Sequence, residues 1–594
     1  MKIDELSAVQ KNKACFFALL LFVTYFIFSA LIPPFQSPDE YDHVKRSYLL
    51  ANGRVMLESP EGRSSGGPID SGLLSYIHAY QGFIGKPDMK LSSSEVEEAE
   101  TIRWTGEEEF ASAPGTGYYF PLVYVPQALG LKAGQLFSLS VDQSYRLARL
   151  STLLISSVIL FFAFRLYTPS LFALALLLLP MSIFQMASTS LDVFSTALAI
   201  LTFSMFMNVM SNKDRADDAL IFGLAGSLFL LVSSKINLLP LIGLLVIIGW
   251  RVKSKKSLVA ALMVFLAVAL WFVFALHNTV DMRVSLGATT SSIIFFYLRH
   301  PFAFFDVLGA TLPIYGVSYI NSFIGALGWL DAPLHEVAYK RLYVLIICAF
   351  LVSISFKCWA NEWPQRGFLI VCAIVSSLLV FFALLITWSA HPAQIIEGVQ
   401  GRYFLIPMLM LAYAFDRVPA FKSSFIPAAS AAVLALMFLV STYSTAATLM
   451  SRFYLVRAQP VSAMIQMQPS PQLSAATTIK LGIPSVRGED PTKLRRIGVL
   501  FATYARFNLG VAELRLTAKD GSITTQRFDL ADVADNQFRY FDLNSVGFLA
   551  GEIISISGGG ISVWESKSEH KDAQACIVYD YVDGRSVSTP GCPR

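Results

Sequence analysis

Residues 14–31 read Ala14-Cys-Phe-Phe-Ala-Leu-Leu-Leu-Phe-Val-Thr-Tyr-Phe-Ile-Phe-Ser-Ala-Leu31, an uncharged apolar run as long as a helix that crosses a bilayer. Lys2, Lys11 and Lys13 precede this run, as in a signal peptide. No A-x-A cleavage site follows it, however, and Pro33-Pro34 lead into a long polar region. We therefore expect an uncleaved first transmembrane helix.

The composition of the whole chain agrees with this start. Of 594 residues, 54% are hydrophobic and 15% are charged, and the mean hydropathy is +0.55. Because a soluble chain carries about 25% charged residues, these values predict a multi-pass membrane protein and exclude disordered, fibrous and disulfide-scaffold classes. The formal charge of +4 is too small to indicate nucleic-acid binding. The seven His and six Cys residues include no C-x-x-C or H-x-x-x-H pair, so a structural zinc site is not expected.

The apolar runs of spanning length predict about eleven transmembrane helices. The runs after the first are Leu147–Tyr167, Pro169–Ala187, Leu191–Met210, Ala219–Val232, Ile236–Trp250, Leu258–Leu276, Leu342–Phe356, Phe368–Trp388, Tyr403–Phe415 and Phe425–Thr445. Lys and Arg concentrate in alternate loops, which is the positive-inside pattern and puts the N-terminus in the cytoplasm. These cations are Lys213, Arg215, Arg251, Lys253, Lys255, Lys256, Lys357, Arg366, Arg417 and Lys422. An odd number of spans then puts the C-terminus outside.

This topology divides the chain into a cytoplasmic tail with the first helix (1–34), a large first outer loop (35–146), a helix bundle (147–446) and an outer C-terminal domain (447–594). The bundle carries two further outer loops, 277–341 and 389–402. The first outer loop is unusually long and should hold its own structure. Within 277–341, Ile293–Tyr297 and Pro301–Leu312 are too short or too broken to span, which favours interfacial or re-entrant helix.

The C-terminal domain has a different period from the rest of the chain. Short β-type runs occupy 497–501, 512–516 and 553–557, and Asp520-Gly521, Asp535-Asn536 and Gly558-Gly-Gly560 punctuate them as turns. We predict a small extracytoplasmic β-sandwich. Cys576 and Cys592 are the cysteines of this exported segment, and a disulfide between them is expected.

The segment after the first span has the pattern of a helix start. In Ser37-Pro38-Asp39-Glu40, Ser37 fits an N-cap, the proline fits the first helical position and Glu40 closes a capping box. Asp39, His43 and Arg46 then share one helix face, at i, i+4 and i+7. These residues have an alternative interpretation as capping and solvated side chains. A carboxylate next to a membrane is costly unless it is paired or used, which favours a general base or a metal ligand.

Other polar residues lie at the outward ends of predicted spans. They are Arg146, Asp192, Lys235, Asp331, Arg402 and Tyr403. Each has an ordinary alternative: Asp192 could cap its helix, Asp331 could be a loop residue, and the cations could snorkel to the interface. Their convergence on one membrane face favours a site instead, because an anionic lipid headgroup needs cations and an activated hydroxyl needs a carboxylate.

These residues resemble a family of bacterial multi-pass membrane proteins known as a domain of unknown function, which has an S-P-D-E signature after the first span. The resemblance covers roughly residues 14–445. It also rests on Tyr118-Tyr-Phe-Pro, Pro180-Met-Ser-Ile-Phe-Gln-Met, Ser234-Lys235, Gly325-Ala-Leu-Gly-Trp-Leu-Asp331 and Gly398-Val-Gln-Gly-Arg-Tyr-Phe. One departure is Ser188-Thr-Ser-Leu-Asp192, where a more Asn-Asp-like pair is expected, and this weakens the case for Asp192.

The family resembles the GT-C superfamily of glycosyltransferases, which use lipid-phosphate-linked sugars. That resemblance implies that Asp39 is a general base or metal-linked carboxylate, with Glu40 as its partner. It also implies that Lys235 and Arg402 hold the donor phosphate. His43, Arg46, Arg146, Asp192, Asp331 and Tyr403 are the other predicted substrate-binding residues. A divalent metal is left open, and no other cofactor is expected.

The predicted function is an inverting inner-membrane glycosyltransferase. It would pass a sugar from a polyprenyl-phosphate donor to a cell-envelope glycan or lipid-linked acceptor on the periplasmic face, among membrane lipids and without nucleic acid. Absence of a G-x-x-x-x-G-K-[ST] loop agrees with a donor that carries its own energy. The alternatives are a flippase for lipid-linked saccharides and a non-catalytic polysaccharide assembly factor.

Overall fold

The computed structural model describes residues 3–211, 217–284, 286–354, 362–416, 425–455, 466–475, 477–481, 494–504, 506, 508–518, 520–543, 548–568, 571–582, 586–589 and 592. The chain divides into two compact units, Met1–Val456 and Arg457–Arg594. Five of the cations on which the predicted orientation rests lie outside the described residues: Lys213, Arg215, Lys357, Arg417 and Lys422.

The first part of the chain is one long helix followed by short elements. They are α1 (Ile3–Leu31), α2 (Glu40–Ala51), β1 (Gly66–Asp70), α3 (Ser71–Gln81), α4 (Ser93–Thr101), β2 (Glu108–Ser112) and α5 (Val125–Leu136). β1 and β2 pair antiparallel, with Asp70 opposite Glu108. The Asp70 carboxylate accepts from the backbone N–H groups of Gly72 and Gly106, both at 2.8 Å. The long polar loop therefore holds its own structure.

Six helices follow, of which one carries most of the core. They are α6 (Val141–Leu166), α7 (Leu171–Leu177), α8 (Pro180–Met186), α9 (Leu191–Ser211), α10 (Asp218–Ser234) and α11 (Gly243–Arg251). The prediction of one span over Pro169–Ala187 is wrong, because Pro180 has no N–H to continue the first helix and starts α8 instead. The apolar window of α9 is 89% buried, the largest share among the long helices, so α9 is the central helix.

The remaining elements of this unit are α12 (Lys255–Asn278), α13 (Thr290–Arg299), α14 (Pro301–Gly325), β3 (Ala326–Leu327), β4 (Ala332–Pro333), α15 (Glu336–Ser353), α16 (Trp363–Thr387), α17 (Leu405–Ala414) and α18 (Phe425–Leu449). The apolar piece predicted from the sequence ended at Leu312, but α14 continues through Pro313 to Gly325. It is therefore neither short nor broken, which corrects that part of the prediction.

Seven helices within the described residues are long and apolar enough to cross a membrane by length and composition. They are α1, α6, α9, α12, α14, α16 and the helix that contains α18. Shorter apolar helices occupy Asp218–Ser234, Ile236–Arg251 and Gly401–Ala414. The predicted polytopic α-helical class is confirmed, although several predicted spans are shorter than a bilayer crossing.

The second unit is built from strands, as predicted. They are β5 (Gln466–Pro469), β6 (Ile479–Leu481), β7 (Leu494–Ala502), β8 (Gly510–Ala518), β9 (Ile523–Asp529), β10 (Gln537–Asp542), β11 (Phe548–Gly558), β12 (Ser562–Ser568), β13 (Lys571–Ala575), β14 (Ile577–Tyr581) and β15 (Ser586–Ser588). One sheet runs β6-β11-β8-β9, and the larger sheet is built around β7, β12 and β14. Alternate residues of both sheets share one apolar core, so the β-sandwich is confirmed. Cys576 and Cys592 are bonded, as expected.

Helix ends position the polar residues of the first unit. α9 and α17 begin, and α1 and α10 end, at the same end of the bundle, where Asp192, Lys235 and Arg402 meet. Asp192 lies in the first turn of α9, and Lys235 is the C-cap of α10. The helix dipole favours an acid at the first position and a cation at the second.

Candidate functional site

Asp39 is the residue immediately before α2, and its backbone is in the left-handed conformation, with φ of 63°. The predicted helix start at Pro38 is therefore two residues early. The Ser37 hydroxyl donates to Gln185 Oε1 at 3.3 Å instead of capping the helix, whereas Glu40 Oε2 still accepts from the Ser37 N–H at 3.3 Å. The left-handed turn directs Asp39 and Glu40 to different neighbours.

Arg402 joins Asp39 to a second carboxylate. Its Nη2 donates to Asp39 Oδ2 at 2.7 Å and its Nη1 to Asp192 Oδ2 at 3.4 Å. The other Asp192 oxygen accepts from Lys235 Nζ at 2.5 Å. Two acids and two cations, contributed by four distant segments, thus form one continuous ion-paired network.

Asp192, Lys235 and Arg402 of this network line a small, partly open pocket. The polar lining consists of Ser182, Gln185, Asp192, Thr196, Lys235, Arg402 and Tyr403. The apolar lining consists of Met181, Phe323, Leu405 and Ile406. The pocket therefore has a charged part and an apolar part, which suits a ligand with a charged group on an apolar chain.

Asp39 pairs with Arg402 but does not line this pocket. Its side chain is 36% exposed, whereas that of Arg402 is 5% exposed. Burial raises the pKa of the Asp39 carboxyl, but Arg402, His43 and Arg283 together outweigh burial and hold it below its ordinary value. Asp39 is therefore an ionised carboxylate that solvent can reach.

Glu40 is fully buried and belongs to a different set of contacts. Its Oε1 accepts from the Tyr145 hydroxyl at 2.7 Å, from the Thr189 N–H at 2.8 Å and from Arg149 Nη2 at 3.4 Å. Arg149 also donates to the Ser29 carbonyl in the last turn of α1 at 2.9 Å and to the carbonyl of Ile32, just after the helix, at 2.7 Å. Glu40 thus fastens the turn before α9 to the end of α1, which positions Asp192.

His43 and Arg46, which follow Asp39 on α2, do not line the pocket. His43 Nδ1 is 2.9 Å from the Tyr124 hydroxyl, and burial lowers the pKa of His43 to about 4. Arg46 is 1% exposed, and its Nη2 donates to the Val55 carbonyl at 2.6 Å. The predicted helix face of three residues is not formed, because Asp39 precedes α2, and Arg46 donates to backbone carbonyls rather than lining the pocket.

Two further predicted residues lie elsewhere. Arg146 is paired with Asp142 at 2.7 Å and with Glu100 at 2.8 Å, and its side chain is 60% exposed. Asp331 pairs with Arg452 at 2.7 Å. Neither lines the pocket or contacts the network. The structure brings together Asp39, Asp192, Lys235, Arg402 and Tyr403, and it places Arg146 and Asp331 elsewhere.

Sequence reasoning missed Gln185 and Arg283 as members of the site. Gln185 lies inside the quoted motif Pro180–Met186 and is 3% exposed, which a buried polar residue in an apolar helix could have signalled. Arg283 lies in an irregular stretch between α12 and α13, and its Nη1 is 3.9 Å from Asp39 Oδ1. Because loop residues have no period, the sequence carries no signal for that contact.

The residues also bear on the open question of a metal. In the part of the chain that the structure describes, no group of three or more His, Cys, Asp or Glu side chains could hold an ion. Asp39 and Asp192, the two carboxylates nearest each other across the network, are joined by the guanidinium of Arg402. No residue is therefore assigned as a metal ligand.

The fold and the site define a multi-pass membrane protein with an ion-paired pocket at one end of its helix bundle. The profile of the DUF2142 family, described as a predicted membrane protein, matches residues 20–412, and the chain belongs to this family. The resemblance carried by the S-P-D-E signature is thereby confirmed.

No curated protein matches the chain. Among solved structures, the chain is similar to the arabinosyltransferase EmbB from Mycobacterium smegmatis, determined by single-particle cryo-EM, with 13% identity and a TM-score of 0.29. The alignment covers 94% of this chain and 64% of that chain, so the chain spans less than two thirds of EmbB.

Proposed function

We propose that this protein is a membrane glycosyltransferase that moves a sugar from a polyprenyl-phosphate donor to a cell-envelope glycan or lipid-linked acceptor. The observation that carries the proposal is the network in which Arg402 joins Asp39 to Asp192 and Lys235 at the wall of a half-apolar pocket. Arg402 thus contacts an acid that solvent can reach and also lines a cationic cavity.

The pocket suits the donor. Lys235 and Arg402 present an ammonium and a guanidinium to one cavity, and charge-assisted hydrogen bonds from such groups are the strong contacts of a phosphate. Phe323, Leu405 and Ile406 give the same cavity an apolar side for the first part of a hydrocarbon chain. The donor phosphate would take the place that Asp192 now fills as partner of both cations.

Asp39 suits the role of general base. An acceptor hydroxyl would give its proton to the Asp39 carboxylate while its oxygen forms a bond to the anomeric carbon of the donor. The bond between that carbon and the phosphate oxygen breaks, and its electron pair leaves with polyprenyl phosphate. Lys235 and Arg402 stabilise this departing charge.

Arg402 would couple the two halves of the reaction. In the free protein its Nη2 hydrogen bond to Asp39 contributes to the low pKa of that carboxyl. When the guanidinium turns toward a donor phosphate, Asp39 loses this hydrogen bond and becomes a stronger base. The base would therefore be activated where donor is bound.

We further propose that the site lies on the periplasmic side of the inner membrane, with the N-terminus in the cytoplasm and the β-sandwich outside. The four helix ends that meet at the network require α1 to end on the side where α9 begins. The positive-inside pattern of the loops then puts that side outside.

The test uses full-length protein in liposomes, a panel of synthetic polyprenyl-phosphate monosaccharides as donors and cell-envelope extract as acceptor. Asp39→Asn should lower sugar transfer by about 10²–10⁴-fold, the range for loss of a general base. Asp88→Asn, which changes an exposed acid in the same outer loop, is the matched control and should leave transfer unchanged.

Transfer at the wild-type rate by Asp39→Asn would remove Asp39 from the mechanism. Movement of labelled donor across the bilayer without transfer to acceptor would replace the proposed enzyme with a flippase.

A further inference from the structure

The open side of Asp39 faces Arg283. The guanidinium of Arg283 is held by Asp281, with Nε 3.0 Å from Oδ1 and Nη2 2.6 Å from Oδ2. It also lies over the Trp388 ring, 4.9 Å from the centroid. The remaining nitrogen, Nη1, is the one that approaches Asp39.

The backbone around Arg283 is fixed by the first outer loop. The Met282 N–H donates to Ser64 Oγ at 2.9 Å, and the Val280 N–H donates to Ser65 Oγ at 2.8 Å. Gly115 makes room for the guanidinium, since a Cβ at that position would lie 2.6 Å from Arg283 Nη2. The position of Arg283 beside Asp39 is therefore built by three separate segments.

The spacing between the two groups has a specific size. Nη1 and Asp39 Oδ1 are 3.9 Å apart, which is too far for a direct hydrogen bond. A hydroxyl oxygen placed beside this pair, at the apex of a triangle with the two atoms, could donate to the carboxylate and accept from the guanidinium at ordinary hydrogen-bond lengths of about 2.7–3.0 Å. One hydroxyl group that approaches from the exposed side could thus bridge the base and the cation.

Aromatic rings flank this pair. Trp388 lies under Arg283, and Tyr41, two residues after Asp39, stacks on Trp329 at 5.3 Å with an interplanar angle of 17°. The Trp329 indole N–H is fixed by the Phe35 carbonyl at 3.1 Å. Half-buried aromatic rings beside hydrogen-bonding groups offer the mixed surface that a sugar ring, with apolar faces and polar edges, requires.

We propose that the Asp39–Arg283 pair forms the acceptor subsite, which takes one hydroxyl of a saccharide whose ring lies against Trp388 or the Tyr41–Trp329 pair. This inference rests on the proposed function and adds to it the residues that bind the acceptor. Arg283 would position the acceptor oxygen and stabilise the charge that it develops. Asp39 does not line the donor pocket, so the two substrates would bind at separate places that Arg402 joins.

Steady-state transfer by the full-length protein in liposomes tests the subsite. The probes are the synthetic polyprenyl-phosphate monosaccharides, and a panel of soluble oligosaccharides serves as acceptor. Arg283→Gln should lower kcat/KM for the oligosaccharide by about tenfold to a hundredfold and leave the KM of the donor unchanged. Arg283→Lys keeps the charge without the planar fork and should recover part of the loss.

The pH profile is a readout that a merely structural role would not move. Arg402 and Arg283 are the cations that face Asp39, and the other titratable groups around it include His43, Asp42, Tyr41, Tyr119 and Tyr403. Removal of Arg283 should raise the pKa of Asp39 and so move the acid limb of the kcat/KM profile to higher pH. Arg299→Gln, which changes an exposed arginine of α13, is the control and should move neither the profile nor the acceptor dependence.

The outcomes separate the two proposals. Acceptor-specific loss with a shifted acid limb supports the subsite. A raised donor KM in Arg283→Gln, or kinetics equal to those of Arg299→Gln, would overturn the subsite and leave the proposed function standing. Absence of transfer by the wild-type protein from every donor would overturn the proposed function and, with it, the acceptor subsite.

Discussion

The region around Glu40 is closed to solvent, whereas the region around Asp39, the preceding residue, is open. Glu40 is 0% exposed and its Oε1 accepts from Tyr145, Arg149 and both donors of Thr189. Asp39 is about one third exposed, shares Arg402 with Asp192 and leaves one oxygen 3.9 Å from Arg283. One peptide bond therefore separates a saturated carboxylate from an available one.

This difference distinguishes structural from functional charge. A buried carboxylate with all its donors in place contributes to the fold, and removal of its charge leaves the partner cation uncompensated. A partly exposed carboxylate that shares its cations can exchange them for a ligand. The same change from carboxylate to amide should therefore lower mainly the stability at Glu40 and mainly the sugar transfer at Asp39.

Glu40→Gln should show the largest effect on stability. The amide keeps the volume, but it leaves the Arg149 guanidinium without its counter-charge and places an N–H₂ group among donors. We expect the free energy of unfolding to fall by about 3–5 kcal/mol, the cost of breaking a buried ion pair. Thermal unfolding of the full-length protein in detergent measures the change, together with the yield of folded protein.

Asp39→Asn is the comparison variant for stability. Because the Asp39 side chain is partly exposed, this variant should unfold close to the wild-type temperature even though sugar transfer is lost. Equal destabilisation of the two variants would contradict the division into a closed and an open region.

Two adjacent buried residues of α2, Asp42 and His43, should make the stability of the protein depend on pH in opposite directions. Burial lowers the pKa of His43 to about 4 from 6.5, so the unfolded chain binds more protons between these values and stability rises with pH. Burial, against the opposing effect of Lys45, raises the pKa of Asp42 to about 6 from 3.8, so stability falls as pH rises through this window. The two contributions oppose each other in the wild-type protein.

Asp42→Asn should expose the contribution of His43. In that variant we expect the free energy of unfolding to rise by about 3 kcal/mol between pH 4 and 6.5, since each pKa unit is worth about 1.4 kcal/mol. His43→Gln should give the reverse slope over about pH 4–6. Unfolding measured across this range checks both signs, and a flat profile in both variants would show that neither group is buried as described.

Much of the fold follows from local patterns in the sequence. The apolar runs predict the long helices, and the change of period after residue 481 predicts the β-sandwich, because both signals depend on neighbours in the chain. Pro180 and Pro313 show the limit of this reading. In the sequence, Pro180 lies within an apolar run and Pro313 directly follows one. In the structure, Pro180 starts a new helix, whereas Pro313 lies inside a continuous helix. Packing around each proline, which the sequence does not display, decides between these outcomes.

The candidate site was accessible to sequence reasoning only where charge lies at a helix end. Asp192, Lys235 and Arg402 could be predicted to converge because the topology brings their helix ends together. The separate environments of Asp39 and Glu40 could not, since they depend on a left-handed residue with φ of 63° before α2. Arg283 could not either, because its place depends on hydrogen bonds to Ser64 and Ser65 in another loop.

Replacement of Arg146, which lies at the edge of the closed region around Glu40, should have the smallest effect of the predicted variants. The sequence placed it among the substrate-binding cations, but its side chain is 60% exposed and its partners are Asp142 and Glu100. The exposed pair with Glu100 contributes about 0–1 kcal/mol, but Asp142 is buried and would keep the Tyr76 hydroxyl while losing its cation, so Arg146→Gln should lower the free energy of unfolding by about 1–2 kcal/mol. Sugar transfer and the KM of the donor should stay at wild-type values in the liposome assay. A tenfold rise in donor KM for Arg146→Gln would extend the open region to the start of α6, which the contacts of Arg146 do not support.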